Sequence, residues 1–376
     1  MEKQHLKSAV LFLALIFVMP LILIFSKKSD FSETENRVLE KFPEFSFGAV
    51  ADKSYMNGIE TYLADHFPAR VSWVKAKMNM EELSGKELIN GVYLTEERMY
   101  EQLSEPDYDE MEKSVNAINK FAETYDTEVY ALIAPTSSGI YKDKLQPYLP
   151  QLDQKKLISE IYDGFESKVK QIDVYSALYS SRDDYIYYRT DHHWTSKGAF
   201  TAYKAAARRM GIGAYTDYEP EAVSEDFCGT YYSKCLFDGV KPDTIDIYRQ
   251  KNHLTATHVV LNDGMTEEIC DDIYFTDFLD TNDKYCVFLG HNRAVTSITT
   301  NVETRNTLLI VKDSYANSMV PFFVQNYSKI TVVDPRYLKT AVTEYINPDD
   351  YTHTLFLYNA STFSTDKNVK NIGLTQ

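Results

Sequence analysis

Four short apolar runs constrain this chain more than any other feature: Glu128–Ala134 (EVYALIA) and residues 307–311, 330–333 and 354–357. Each is too short for a helix and is closed by a proline, a turn residue or a charge. Runs that are apolar along their whole length, rather than at alternate positions, belong to strands buried on both faces. Helix-length segments separate several of them. Alternating β and α elements therefore predict an α/β fold with a mostly parallel sheet covered by helices on both faces. The helical segments carry their own signatures. Residues 105–124 place Met111, Val115, Ile118 and Ala122 on one stripe. In residues 195–210, Thr195 is an N-cap residue and Ala199, Ala202, Tyr203, Ala206 and Met210 share a face. A helix is predicted from 150 to about 169, a strand at 172–175, and a short strand at 91–94.

The N-terminus differs in kind. Residues 9–25 form a run of about 17 apolar residues interrupted only by Pro20, with Lys3 and Lys7 before it and Lys27 and Lys28 after it. That is the short end of what crosses a bilayer. The stretch after it offers no small-residue cleavage site. The expectation is an uncleaved signal-anchor over residues 1–28, a polar stalk over 29–50 and an α/β domain over 51–376. An irregular, Asp/Thr-rich insertion is expected at about 211–300. With one span and most of the chain after it, the bulk is expected outside the cytoplasm.

Composition narrows the partners. The formal net charge is -16 and no long basic run occurs, which argues against nucleic acid, whose phosphates demand clustered Lys and Arg. The 29 Tyr and 20 Phe read first as core and sheet filling. A second reading is carbohydrate stacking, with Tyr185, Tyr187, Tyr188, Tyr231 and Tyr232 as the places to look. Cys228, Cys235, Cys270 and Cys286 form no CxxC and no zinc-type spacing with His. They are disulfide partners outside the cytoplasm or plain thiols.

Two segments concentrate chemistry. One is Arg189-Thr190-Asp191-His192-His193-Trp194-Thr195, just ahead of a strong helix. The other is Lys312-Asp313-Ser314-Tyr315-Ala316-Asn317-Ser318, directly after an apolar strand, the end of an α/β sheet where sites lie. A serine hydroxyl needs a base to become a nucleophile, histidine is the base suited to neutral pH, and a carboxylate fixes its tautomer. Asp191, His193 and Ser314 supply these roles if the fold joins segments some 120 positions apart. His192 reads as the histidine that hydrogen-bonds the following helix, and Trp194 as packing beneath the loop. Asp313 reads equally as the residue that orients the turn or as a plain turn carboxylate. For the oxyanion, the candidates are the backbone N–H groups after Ser314 and Asn292, in a Gly-x-Asn turn, with an ordinary turn role as the alternative. Arg336, after another strand end, reads as a substrate contact or a helix cap. The DHH triplet also occurs in manganese phosphoesterases. Their Asp-rich N-terminal and Gly-rich C-terminal motifs are lacking here, and neither a metal nor a cofactor is expected.

At these residues the chain resembles the DHHW family, itself similar to the alginate O-acetylation proteins of the AlgX/AlgJ type in the SGNH hydrolase-like group. The resemblance is carried by Glu35-Asn36-Arg37, Asp65-His66-Phe67-Pro68-Ala69-Arg70, Asn90-Gly91-Val92-Tyr93, Thr190-Asp191-His192-His193-Trp194-Thr195 with Gly198-Ala199, Phe288-Leu289-Gly290 with Asn292, Lys312 through Ser318, and Asp334 with Arg336. It implies an SGNH-like α/β/α sandwich, selects His193 with Asp191 and Ser314 as a triad, and places Asn292, Arg336 and Tyr315 at the oxyanion or substrate. It further implies acetyl transfer onto, or off, an extracytoplasmic polysaccharide, beside a multi-span membrane O-acyltransferase that supplies acetyl groups. The sequence departs from ordinary SGNH hydrolases in placing Asp-x-His before the serine and in carrying Lys312 where they carry glycine. The competing expectation is a glycan-binding scaffold with a vestigial site.

Overall fold

The structure is a computed structural model that describes residues 2–251, 256–262 and 266–373. The chain divides into two compact units, residues 1–90 with 232–239, and residues 91–231 with 240–376.

The first unit begins with the helix Glu2–Phe25, which contains the apolar run and keeps Phe12, Leu13, Phe17, Leu21 and Phe25 exposed. Among the described residues no helix is long and apolar enough to cross a membrane, so the spanning anchor expected at 9–25 is not supported. The segment expected as a stalk is tied down. Asp65, at the end of the helix Ser54–Asp65, accepts two bonds from Arg37 (2.6 and 3.0 Å) and one from the Glu40 N–H (2.9 Å). Glu35 receives Arg70 at 2.8 Å. Arg37 holds the Asp65 carboxyl down at about 2, against the opposing effect of burial. The Glu35-Asn36-Arg37 and Asp65-to-Arg70 strings are thus an ion-pair knot.

The second unit is built on an eight-stranded sheet. Its strands in chain order are β1 (Glu128–Ala134), β2 (Val169–Gln171), β3 (Ala256–Asn262), β4 (Glu267–Cys270), β5 (Val295–Thr300), β6 (Thr307–Lys312), β7 (Lys329–Val333) and β8 (His353–Asn359). The spatial order is β4-β3-β5-β7-β6-β8-β1-β2. The pairs from β7 to β2 are parallel; β4, β3 and β5 extend the sheet antiparallel. This is a mixed α/β fold with a large, mostly parallel sheet. The four apolar runs are its central strands: Leu308 to Val311 and Leu355 to Tyr358 have no measurable exposure. The stretch expected as an insertion at 211–300 thus supplies three strands of the sheet. Their polar-rich sequences hid them: β3 and β5 carry no apolar run of strand length, and edge strand β4 is mostly exposed.

Helix α1 (Tyr108–Thr124) starts at Asp107, whose side chain accepts the Glu110 N–H, and buries the predicted stripe. Helix α2 (Gln154–Asp163) ends at Gly164, shorter than the predicted 150–169, and the following strand forms at 169–171 rather than 172–175. Helix α3 (Ser196–Met210) is capped by Thr195, buries the predicted face and ends on left-handed Gly211 (φ 72°). Gly198 lets this helix lie against the Ile186 carbonyl: a Cβ there would come within 2.2 Å of it. The segment that carries the two histidines is thereby pressed onto the N-terminus of α3.

Candidate active site

Strand β6 lies between β7 and β8 and delivers Ser314 to the carboxyl end of the sheet. A single buried carboxylate shapes the turn. Asp313 caps the 3-10 turn Ser314–Ser318 by accepting the Tyr315 N–H at 2.8 Å. Its other oxygen takes the backbone N–H (2.8 Å) and side-chain amide (2.7 Å) of Asn359, at the end of β8. Burial pushes the Asp313 carboxyl up, while Asn359 and Tyr315 donate against that shift. Asp313 therefore orients the turn by tying two strand ends together. Ser314 itself is half-buried, open on one side.

The histidine segment is a tight loop closed by a bridge between Tyr187 and Trp194. Asp243, wholly buried, accepts the N–H groups of Arg189 (2.7 Å) and Thr190 (2.8 Å), the Thr190 hydroxyl (2.6 Å) and the Tyr185 hydroxyl. Asp191 Oδ1 accepts both the backbone N–H (2.9 Å) and Nδ1 (2.6 Å) of His193, and Oδ2 accepts the Thr230 N–H (2.8 Å). Gly229 makes room for this carboxylate: a Cβ there would sit 2.3 Å from the Asp191 Cβ.

These segments meet. His193 Nε2 lies 2.8 Å from Ser314 Oγ. A carboxylate facing Nδ1 fixes the proton on that nitrogen, so Nε2 is left to accept the serine proton. The ring is clamped flat. Tyr285 stacks on it with centroids 3.7 Å apart and planes 7° from parallel, and donates its hydroxyl to the Ser314 carbonyl (3.2 Å) and to Ser318 (3.1 Å). Nothing in the sequence around Tyr285 marked it.

Burial pushes His193 down to about 4; neighbouring His192 adds to this and Asp191 opposes it. Asp191 is also buried, which favours its neutral form, but the two imidazoles outweigh that and hold it well below the carboxylate range. His192 moves the other way. Burial lowers it, Asp191 overcomes burial, and the net shift is upward. A proton entering this cluster therefore settles on His192 first and leaves His193 neutral. His192 turns Nδ1 to the Thr230 hydroxyl (3.1 Å), not to the following helix that the sequence predicts as its partner.

The remaining predicted residues divide. Asn292 Oδ1 accepts Lys312 Nζ (2.7 Å) and Asn317 Nδ2 (3.3 Å), which joins it to both ends of the serine turn. Arg336 embraces Asp334 through Nε (2.8 Å) and Nη2 (2.6 Å) and is 30% exposed. Tyr315 is a correction. Its side chain has no exposure, its hydroxyl is bound to the His192 carbonyl and its N–H to Asp313, so neither group is available to a substrate or an oxyanion. Trp194 is buried beneath the site and donates its indole N–H to the Tyr315 carbonyl and Ser318 Oγ, both at 3.0 Å. Of the tyrosines offered for sugar stacking, Tyr187, Tyr188 and Tyr231 are wholly buried and fill the core.

Two groupings among the described residues bring metal-ligand atoms within 4.8 Å of one another, Asp191-His192-His193 and Asp283-Cys286-His291. In the first, both Asp191 oxygens and both His193 nitrogens already have hydrogen-bond partners, which fits proton transfer better than metal ligation. In the second, Cys286 Sγ and His291 Nδ1 pair with each other at 3.4 Å. All four cysteines are thiols.

Comparison with known proteins follows the same residues. The family profile described as DHHW protein matches residues 35–128 and 87–333. No curated protein matches in sequence. A DHHW family protein from Eubacterium siraeum shares the fold at a TM-score of 0.64 and 24% identity, over 77% of this chain and 98% of that one. PatB1 of Bacillus cereus, solved with a sulfonyl adduct, does so at 0.63 and 21% identity, over 73% and 97%. The O-acetyltransferase domain of Pseudomonas putida AlgJ overlaps less, at 0.48 and 12% identity, over 73% and 93%. With the family match running from residue 35 to residue 333 of 376, through both the histidine loop and the serine turn, the chain belongs to the DHHW protein family.

Proposed function

We propose that the protein is an extracytoplasmic polysaccharide O-acetyltransferase, or the matching acetylesterase, working through an acetyl-Ser314 intermediate. One observation carries the reading: His193 Nε2 at 2.8 Å from Ser314 Oγ, with Nδ1 at 2.6 Å from Asp191. In the first half-reaction, Ser314 Oγ attacks the acetyl carbonyl carbon as its proton passes to His193 Nε2. The carbonyl π pair moves onto oxygen, then returns as the bond to the leaving oxygen breaks. That oxygen takes the proton from His193. In the second half, a sugar hydroxyl or water attacks the acyl-serine carbonyl as its proton passes to His193; the bond to Ser314 Oγ then breaks and Oγ takes that proton back. Asp191 keeps the imidazole in the required tautomer and steadies the imidazolium. The Ser314 N–H, in the first turn of a 3-10 helix and so lacking an intrahelical acceptor, and the Asn292 amide are the proposed oxyanion donors.

The choice of acetyl groups and of a polysaccharide acceptor rests on the family resemblance. The same reading gives the protein a place outside the cytoplasm, associated with the membrane through the exposed apolar helix Glu2–Phe25, next to a membrane O-acyltransferase that hands over acetyl groups. Purified protein should give a burst of p-nitrophenol from p-nitrophenyl acetate and a single acetyl adduct on Ser314 by mass spectrometry. A sulfonyl fluoride should label the same residue. Ser314→Ala should lose all three. A burst undiminished in that variant would remove Ser314 as nucleophile, and glycan binding without any acyl-enzyme would leave a scaffold.

A further inference from the structure

Lys312 has no part in the proton relay, yet it is buried at the end of β6, two positions before Ser314, with 4% exposure. A lysine is almost never buried unless something requires its charge. Its closest partner is not a carboxylate. Nζ lies 2.7 Å from Asn292 Oδ1 and 3.4 Å from Asp334 Oδ2. Asp334 is already committed: Arg336 occupies both of its oxygens from Nε and Nη2. Asp313, the other nearby carboxylate, receives three donors from Asn359 and Tyr315. Lys312 is therefore shared between Asn292, its nearer partner at 2.7 Å, and an Asp334 carboxylate that Arg336 also holds.

An ammonium only donates, so the Asn292 atom facing it must be the carbonyl oxygen. Asn317 Nδ2 reinforces this, donating to the same oxygen at 3.3 Å. The Asn292 amide N–H groups are forced to the opposite side. A positive charge on the carbonyl oxygen also withdraws electrons from the amide nitrogen and makes its N–H groups stronger donors.

We propose that Lys312 is the positioning residue of the oxyanion site: through Asn292 Oδ1 it turns the Asn292 amide outward as a donor and supplies positive field behind it. This rests on the acyl-Ser314 reading. It accounts for a buried cation next to a serine nucleophile, where a glycine would leave Asn292 free to flip. The groups facing Lys312 are Asn292, Asp334, Asp313 and Arg336. Burial and Arg336 make its proton easier to lose than that of an ordinary lysine, while the two aspartates oppose this.

The test is the acylation burst with p-nitrophenyl acetate, followed by stopped flow from pH 6 to 10.5 in the wild-type protein, Lys312→Met, Lys312→Arg, Asn292→Ala, the Lys312→Met/Asn292→Ala double variant and Ser314→Ala. Loss of an oxyanion donor lowers the rate by about 10²–10³-fold. Lys312→Met should fall by that order, Asn292→Ala by a similar factor, and the double variant no further than about threefold beyond either, because one residue acts through the other. The wild-type rate should decline at high pH as Lys312 deprotonates, and Lys312→Arg should abolish that decline. A Lys312→Met rate within about threefold of wild type overturns the proposal, as do losses that multiply in the double variant. Should Lys312→Met not fold by circular dichroism, the pH profile decides. A basic decline in wild type that is absent from Asn292→Ala supports the proposal; a decline in both, or in neither, overturns it. A burst surviving in Ser314→Ala sinks the underlying reading, whereas its loss there with Lys312→Met unchanged sinks this inference alone.

Discussion

The pair of adjacent histidines makes a specific demand on the pH profile. An unperturbed imidazole titrates near 6.5. Burial carries His193 to about 4, and the raised, adjacent His192 pushes in the same direction from a ring centroid 3.7 Å away. The proposed mechanism requires neutral His193, since Nε2 would accept the serine proton. The sign follows: lowering the pKa extends the active form to lower pH, and activity is lost only as pH falls through the folded value. The difference between 6.5 and about 4 is roughly 2.5 units, or about 3 kcal/mol at 1.36 kcal/mol per unit. The acylation burst should therefore stay level from pH 8 to about 5 and halve near 4. His192→Gln removes the neighbouring positive charge while keeping a hydrogen-bonding side chain, so its acid half-point should move upward, toward 6.5. The assay is the burst rate at fixed p-nitrophenyl acetate, with circular dichroism at each pH to separate titration from unfolding. A wild-type half-point near 6.5, or a His192→Gln profile that overlays the wild type, refutes the idea that His192 absorbs the proton and spares His193.

Other parts of the structure make further demands. Gly229→Ala places a methyl group 2.3 Å from the Asp191 Cβ, so the carboxylate must shift off Nδ1. The burst rate should then fall by on the order of 10³–10⁴, the penalty for a misheld tautomer, with the far-ultraviolet spectrum unchanged; a rate within tenfold of wild type would contradict the close approach. Asp65→Asn should destabilise the first unit by about 2 kcal/mol, because the carboxyl is held near 2 by Arg37 against 3.8 when free. That contribution is present above pH 3.8 and disappears as pH falls through about 2, so urea midpoints of wild type and variant should converge in acid. Equal midpoints at pH 7 would show that the knot adds nothing.

What could be read in the sequence was whatever has a period or a cap. The central strands are apolar on both faces, and α1 and α3 carry complete stripes with capping residues, so all of these were legible. Strands β3 to β5 were not: β3 and β5 mix apolar with polar residues, and edge strand β4 leaves Glu267, Glu268 and Ile269 exposed. The site divides the same way. Asp191, His193 and Ser314 stand at element boundaries, where chemistry-bearing residues are conspicuous. Asp243, which holds the loop, and Tyr285, which clamps the ring, act from roughly 50 to 90 positions away in the sequence, so nothing local ties them to the site. Tyr315, offered as an oxyanion or substrate residue, lies next to Ser314 in sequence, but the turn rotates its ring into the core beneath His193.

The distribution of buried charge separates a working site from a vestigial one. Lys312, Asp313 and Asp334 are buried at the carboxyl ends of β6 and β7, next to the apolar stretches Leu308 to Val311 and Val332–Val333. Taking such groups out of water costs several kcal/mol each before pairing, and apolar replacements of similar volume are often as stable or more so. A fold that needed only stability would fill these positions with more of the leucine, isoleucine and valine found along β6. Each charge is instead held by directed hydrogen bonds to Asn292, Asn359, Arg336 or the serine turn. A scaffold without chemistry gains nothing from that arrangement. A site that must meet negative charge as it develops on a carbonyl oxygen gains fixed dipoles and a cation that need not reorganise. Lys312 lies closer to the Asn292 carbonyl oxygen (2.7 Å) than to Asp334 Oδ2 (3.4 Å), and this is the arrangement the proposed oxyanion site would use.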